Sequence, residues 1–367
     1  MKSLHIHVDL DVAGAQTVIM NYMRYLSHDS DIDIVLLING CPKGSAYEKE
    51  CVEKGYNVIY TNYKPWTGSR LFRPIVNWFK CQYYLYREIK KINPDIIHSH
   101  GSILLPYVTF PGLLSGCDLR FHTLHSDPYA FNKGIALWAR FAFNVAKLYP
   151  ICVTEGQAMK AEKRYHISKY TIIHNGIDGR RFRGIDKLQV REELGISPTT
   201  KVIGCVGRFE KIKNHEFLVK LFAEYFKSNR DSLLLLVGDG GERYNLEKLV
   251  CELGIKEHVL FTGLRNDVER LYFAMDLFML TSFFESSSIV TVEAQFAGVR
   301  CVISKSIPDN VIFTKKVNRI PLDAPLETWL TAMHGNIPCD DMVSSLDDFL
   351  IDGSIKELKD LYKRQSL

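Results

Sequence analysis

Apolar and polar positions along this chain recur with two periods, and the switch between them repeats. Leu4-His5-Ile6-His7-Val8 alternates residue by residue, which predicts a strand, and Val18, Ile19, Tyr22 and Leu26 then recur at helical spacing. Short apolar runs at 32–38, 57–60, 94–101, 119–127, 151–154 and 171–178 predict further strands, with helices over 46–54 and 74–92. A polar, Arg- and Gly-rich segment at 179–186 reads as a linker, after which the rhythm restarts. Strands are predicted at 201–206, 233–237, 259–263 and 277–280, and helices at 216–226 and 268–275. Beyond Asn310 the pattern loosens, leaving helices at 326–333, around Trp329, and 354–364. Strands alternating with helices predict parallel sheets covered on both faces.

One stretch concentrates candidate chemistry. The apolar run Leu277-Phe278-Met279-Leu280 leads into a Ser-rich turn containing Ser286-Ser287-Ser288, then a helix-like segment that ends at Gly298. Glu285 sits at the strand end and Glu293 about two helical turns further on. Ligands of open α/β sheets bind outside the carboxyl ends of strands, and backbone N–H groups at a helix start attract phosphate. Spacing alone is equally that of an ordinary strand–turn–helix unit with solvated glutamates.

Other strand ends add polar groups. Ile97-His98-Ser99-His100-Gly101 and Phe121-His122-Thr123-Leu124-His125 each place histidines near a strand terminus, where a general base or a sugar-hydroxyl contact belongs. A lone histidine there is more often structural, and no tightly spaced zinc ligands accompany these. Gly14, after the first strand, permits close backbone approach to a substrate, although turn chemistry alone accounts for it. The helix around Trp78 mixes Phe79, Tyr83, Tyr84 and Tyr86 with Lys80, Arg87, Lys90 and Lys91. That mixture suits a membrane interface and equally a packed helix with its basic residues in water.

The 367 residues suffice for two domains. The opening segment is too polar for a secretory leader, and the apolar stretch from Gly134 to Val153 is broken by Arg140 and Lys147, which argues against a membrane span. Nine scattered cysteines without a CxxC pair read as reduced thiols of a cytoplasmic protein. Residues 1–185 carry 23 Lys/Arg and 15 Asp/Glu, a net +8, whereas residues 186–367 carry 23 and 27, a net −4. The basic first half suits an anionic membrane surface or an acidic substrate.

In order along the second half stand Val206-Gly207-Arg208 with Lys213-Asn214, then Leu236-Val237-Gly238-Asp239-Gly240, Phe261-Thr262-Gly263, and Glu285 to Glu293 continuing into Ala294-Gln295-Phe296-Ala297-Gly298. This series resembles the donor domain of the retaining glycosyltransferase family 4. Ala13-Gly14-Ala15-Gln16, the His98/His100 and Thr123-Leu124-His125 strand ends, and Asn175-Gly176-Ile177-Asp178 look like counterparts in the first domain. The subset is similar to bacterial capsular and exopolysaccharide transferases.

The resemblance implies an α/β GT-B fold, two Rossmann-like domains with parallel sheets facing across a cleft. Residues 1–180 form the acceptor domain, joined by a terminal helix at about 345–367, and residues 181–344 form the donor domain. It implies transfer of a hexose or N-acetylhexosamine from a nucleotide-diphosphate sugar, most simply a UDP-sugar. The acceptor is a saccharide or a lipid-diphosphate-linked saccharide at the inner membrane face. No cofactor, no metal and no nucleic acid take part.

Arg208 and Lys213 clamp the donor diphosphate in this reading, Glu293 takes the ribose hydroxyls, and Glu285 meets the sugar. Ser287, Ser288, Ile289 and Val290 cradle phosphate. Gly207, Asp239, Gly240, Thr262 and Gly263 complete the donor site. Gly14 and His125 face the sugar, and His98, His100 and His122 line the acceptor side. Serines at 286–288 stand where the family usually has glycine, and Ala13 and Gln16 replace commoner Gly and Glu. These departures leave open a sugar-nucleotide epimerase of the same fold or a catalytically weakened nucleotide-sugar-binding assembly protein.

Overall fold

Two parallel sheets, each covered by helices, organise the chain in this computed structural model, which describes residues 1–65, 67, 72–285, 287–335, 342 and 344–365. The chain divides into two compact units, Met1–Gly176 with Ile351–Leu367, and Ile177–Leu350.

The first unit holds strands β1 (Lys2–His7), β2 (Asp33–Ile38), β3 (Val58–Tyr60), β4 (Ile96–His100), β5 (Leu119–Leu124), β6 (Tyr149–Cys152) and β7 (Thr171–Ile172). Their order is β3-β2-β1-β4-β5-β6-β7. Register sets His5 opposite His98 on β1 and β4, and His100 opposite Thr123 on β4 and β5. The apolar stretch from Gly134 to Val153 is a helix, Lys133–Asn144, followed by strand β6. Asn132 caps that helix by accepting from the Ile135 N–H. The terminal helix Ile351–Gln365 belongs to this unit. Lys359 meets Asp29 at 2.7 Å, and the Ser354 hydroxyl donates to the His174 carbonyl at 2.8 Å.

The second unit contains β8 (Lys201–Val206), β9 (Ser232–Val237), β10 (Val259–Gly263), β11 (Leu277–Leu280), β12 (Arg300–Ser304) and β13 (Val317–Ile320), in the order β10-β9-β8-β11-β12-β13. Its central strands are apolar throughout because both faces are buried: Leu234, Leu235 and Leu236 have no exposed surface. The 179–186 segment lies inside this unit, where residues Gly179–Phe182 form a single 3₁₀ turn that Asp178 caps. Strand β13 occupies sequence read as loosely patterned, and β12 lies before Asn310 at a position where no strand was predicted. Among the described residues no helix is long and apolar enough to cross a membrane.

Candidate functional site

The second sheet reverses its direction of winding between β8 and β11. At such a switch point the loops leaving two neighbouring strands part, which opens a crevice at their carboxyl ends. Residues 207–214 leave β8 there and residues 281–288 leave β11.

Three contacts lace the two loops together. The Phe283 N–H donates to the Ile212 carbonyl at 2.8 Å, and the Thr281 hydroxyl donates to the Asn214 carbonyl at 2.9 Å. Lys213 Nζ lies 2.6 and 2.8 Å from the two carboxylate oxygens of Glu285. Asn214, at φ +53°, makes the left-handed turn that brings Lys213 back over the crevice. The Ser282 hydroxyl also donates to Glu285, at 2.8 Å. Glu285 is 9% exposed and Lys213 20%, so the pair is largely shielded from water yet within reach of a ligand. Shielding strengthens the field of the ammonium.

Arg208 differs. Its side chain is 56% exposed and, among the described residues, forms an ion pair with Glu210, at 2.9 Å. An exposed pair contributes little stability, so a phosphate draws this guanidinium away at small cost.

Glycines bring a third loop against this corner. The Gly207 N–H donates to the Val237 carbonyl at 3.0 Å, and the Phe209 N–H to the Asp239 carbonyl at 2.9 Å. A Cβ on Gly238, which has φ +138°, would stand 2.1 Å from the Gly207 oxygen, and one on Gly240 would stand 2.6 Å from the Phe209 oxygen. Only glycine allows that approach. Asp239 accepts from the Gly240 N–H at 2.7 Å. At the end of β10, Gly263 accepts from the Gly238 N–H at 3.0 Å and from the Thr262 hydroxyl at 3.2 Å.

The helix after β11 spans Ile289–Phe296, and no side chain caps its first turn. Ser288 is buried and its hydroxyl bonds to that of Thr291 at 2.8 Å, so this serine offers backbone alone to a ligand. Ser287 is half-buried, and Ser286 lies outside the described residues. Further along, half-buried Glu293 accepts from the Tyr272 hydroxyl at 2.8 Å. Burial, reinforced by that carboxylate, pushes the Tyr272 phenol well above its ordinary pKa, so Tyr272 remains a donor. Neither Tyr272 nor Ser282 was legible as a partner, because each is positioned by sheet packing. A cavity of about 540 Å³ opens beside this corner, and four glutamates, Glu210, Glu216, Glu242 and Glu252, outnumber the two lysines, Lys211 and Lys248, in its lining.

In the first unit, Gly14 opens the helix Gly14–Leu26, and a Cβ there would meet nothing within 4 Å. Its own packing does not require glycine. The expected acceptor-side histidines are placed otherwise. His98, His100 and His122 have no exposed surface. Their partners are internal: His98 bonds Tyr362 and Thr123, His100 bonds His5 and His125, and His122 bonds Ser99. Strand alternation turns these side chains into the unit's interior, so they do not form an acceptor surface. His125, one residue beyond β5, is partly exposed.

Residues 12–181 match the family model Glycosyltransferase Family 4, and residues 186–325 match Glycosyl transferases group 1. The chain is a glycosyltransferase of this two-domain family. It is 25% identical over 345 residues to the putative glycosyltransferase EpsF of Bacillus subtilis, covering 89% of this chain and 85% of EpsF. It is 27% identical over 244 residues to the UDP-Gal:alpha-D-GlcNAc-diphosphoundecaprenol alpha-1,3-galactosyltransferase of Escherichia coli, covering 62% of each. Among solved structures, Anabaena HepE in complex with UDP and glucose superposes with a TM-score of 0.77 at 17% identity, over 99% of this chain and 100% of HepE. Sucrose-phosphate synthase from Thermosynechococcus elongatus also gives a TM-score of 0.77 at 17% identity, over 99% and 98%. At such identity the likeness concerns the fold, which is GT-B as the sequence motifs implied.

Proposed function

We propose that this glycosyltransferase moves a hexose or N-acetylhexosamine from a UDP-sugar to a saccharide or lipid-diphosphate-linked saccharide, with retention of configuration, in capsular or exopolysaccharide synthesis. The observation that carries the reading is the shielded Lys213–Glu285 pair at the switch of the second sheet, with exposed Arg208 beside it. The names of the Escherichia coli relative and of EpsF, together with the UDP in HepE, support the choice of donor and acceptor class.

Negative charge builds on the leaving diphosphate as the glycosidic bond breaks. Lys213 and Arg208 stabilise that charge, so the reaction requires no metal. Glu285 holds Lys213 in place and meets the sugar, and Glu293 accepts from the ribose hydroxyls. The backbone from Ser287 to Val290 receives phosphate, and the ends of β9 and β10, at Asp239, Gly240, Thr262 and Gly263, receive the nucleoside. His125 donates to a sugar oxygen. The acceptor hydroxyl attacks from the face the phosphate leaves, and its proton passes to the departing phosphate oxygen.

A thermal-shift series separates donors. The melting temperature is expected to rise with UDP-sugars and to stay put with GDP- and ADP-sugars at equal concentration. A ligand at 100 times its Kd adds about 2.7 kcal/mol of stability. Stabilisation by GDP- or ADP-sugars alone would overturn the UDP assignment. Binding without transfer to any acceptor would leave an assembly protein, and an epimerised donor released without acceptor would leave an epimerase.

The first unit supplies a surface for a membrane-borne acceptor. On the helix Arg73–Ile92, Ile75, Phe79 and Tyr83 are exposed at four-residue spacing, continuing from Phe72. Arg73, Arg87, Lys90 and Lys91 flank them, also exposed. Trp78 instead turns inward and donates to the Pro106 carbonyl at 3.0 Å. We place this face on the anionic inner leaflet of a cell membrane, with the enzyme in the cytoplasm. Sedimentation with phosphatidylglycerol vesicles at low salt should capture the protein. Changing Ile75, Phe79 and Tyr83 together to serine should weaken capture by about tenfold or more, since each apolar side chain buried contributes roughly 1.5–3 kcal/mol. Absence of wild-type binding would rule the surface out.

A further inference from the structure

We propose that Arg243 receives the base of the nucleotide donor, stacking its guanidinium plane on the ring. The inference rests on the reading above that the carboxyl ends of β9 and β10 take the nucleoside. Arg243 opens the helix Arg243–Glu252, just after the Gly238-Asp239-Gly240 turn that leaves β9. Its Cζ lies over the ring of Phe261, a β10 residue, 5.0 Å from the centroid. Phe261 in turn packs edge-on against fully buried Phe209, at 6.0 Å and 81°. A Cβ on Gly263 would stand 4.0 Å from Arg243 Nη1, so the guanidinium borders the last residue of β10.

The helix itself gives no reason for an arginine there. A cation in the first turn meets the positive end of the helix dipole. Arg243 Nε donates to Glu247 at 2.6 Å, but a basic residue four places before an acidic one is the weaker orientation of such a pair. The two side chains are 29% and 47% exposed, so the pair contributes little to folding.

What the placement does supply is a flat cation held in one orientation. Phe261 backs one face, Glu247 fixes Nε, and Asp239 Oδ2 stands 3.7 Å from Nη1. The remaining exposure therefore lies on the opposite face and at Nη2, which has no partner among the described residues. Guanidinium planes stack on flat π systems, and a nucleobase is such a system. Leu264, 51% exposed and next after Gly263, offers an apolar wall beside the same strand end. Neighbouring arginines serve the loop instead. Arg265 spends Nε and Nη2 on Asp267, both at 2.7 Å, and Arg181 donates to the Asn266 carbonyl at 2.6 Å. Stacking on Arg243 thus adds affinity for the base, while Arg208 and Lys213 answer the diphosphate.

Calorimetric titration of the full chain with UDP and with pyrophosphate, which lacks the nucleoside, tests this. Arg243→Ala should weaken UDP binding by about tenfold or more and leave pyrophosphate binding within about twofold of the wild type. Arg243→Lys keeps the charge without the plane, and should lose UDP affinity nearly as far as alanine does. Both variants should melt close to the wild type, since the Glu247 pair is exposed. UDP affinity within about twofold of the wild type in Arg243→Ala or in Arg243→Lys would overturn the stacking role. So would an equal loss for UDP and pyrophosphate, which would make Arg243 a source of charge for the phosphates. A wild type that does not bind UDP would remove the donor reading and the stacking role together, whereas UDP binding untouched by Arg243→Ala would remove the stacking role alone.

Discussion

Lys213→Ala is expected to lower kcat/KM for transfer from the nucleotide sugar by roughly 30-fold or more, a loss of at least ~2 kcal/mol of transition-state stabilisation. The ammonium stands at the switch of the second sheet, 2.6 Å from Glu285, where water is largely excluded. Charge that forms on a departing phosphate there gains most from a fixed cation. The same change leaves Glu285 shielded with the Ser282 hydroxyl and without its ammonium. Breaking a fully buried pair costs about 3–5 kcal/mol, and partial exposure of Lys213 brings the expected loss of folding stability nearer 1–3 kcal/mol. Kinetics measured well below the variant's melting temperature separate the two effects. Lys213→Arg keeps the charge with a different geometry and should fall between wild type and alanine. An alanine variant that turns over at the wild-type rate would remove Lys213 from the chemistry.

Gly238→Ala should be among the most destabilising single-methyl additions in the second unit, by about 3 kcal/mol or more. Its φ of +138° disfavours any side chain, and the added carbon would stand 2.1 Å from the Gly207 carbonyl oxygen. That oxygen is backbone at the end of β8, so relief means moving the loop that presents Arg208. Urea denaturation measures the loss. Gly207→Ala is the control: its Cβ would meet nothing within 4 Å, so stability should hold while donor affinity reports any close approach of ligand to that backbone. A loss under about 1 kcal/mol for Gly238→Ala would show that the two loops part easily.

Much of the architecture was legible along the chain. The helix Ala46–Lys54 carries its own boundaries, a Ser45/Glu48 capping box at the start and Gly55 in the left-handed region at the end. The all-apolar strand Leu277–Leu280 announces burial on both faces. Where local pattern is weak the elements were missed. Strand β13 reads Val317-Asn318-Arg319-Ile320, and Asn318 is nonetheless 2% exposed. The helix Arg243–Glu252 buries only Leu246 and Val250, too thin a stripe to stand out.

Arg208, Lys213, Glu285 and Glu293 became donor-side candidates because the motifs around them keep a family order. The histidines show what order does not reveal. His98, His100 and His122 sit at strand ends, as ligand contacts do, yet strand alternation and register direct them inward. Their neighbour Tyr362 lies 264 residues beyond His98 in sequence.

Periodicity and motif order, both readable from neighbouring residues, determined by themselves that this chain builds two α/β domains of a glycosyltransferase and which residues are candidates. Tertiary structure alone decided which candidates meet. Lys213 and Glu285 are 72 residues apart and become partners because β8 and β11 are adjacent at a switch in winding. His5, His98, His100, His125, Thr123 and Tyr362 form one network because three strands share a register and the terminal helix returns to the first sheet. Hydrogen bonding and charge pairing act over a few ångströms of space, and only the folded sheet brings such distant residues within that range.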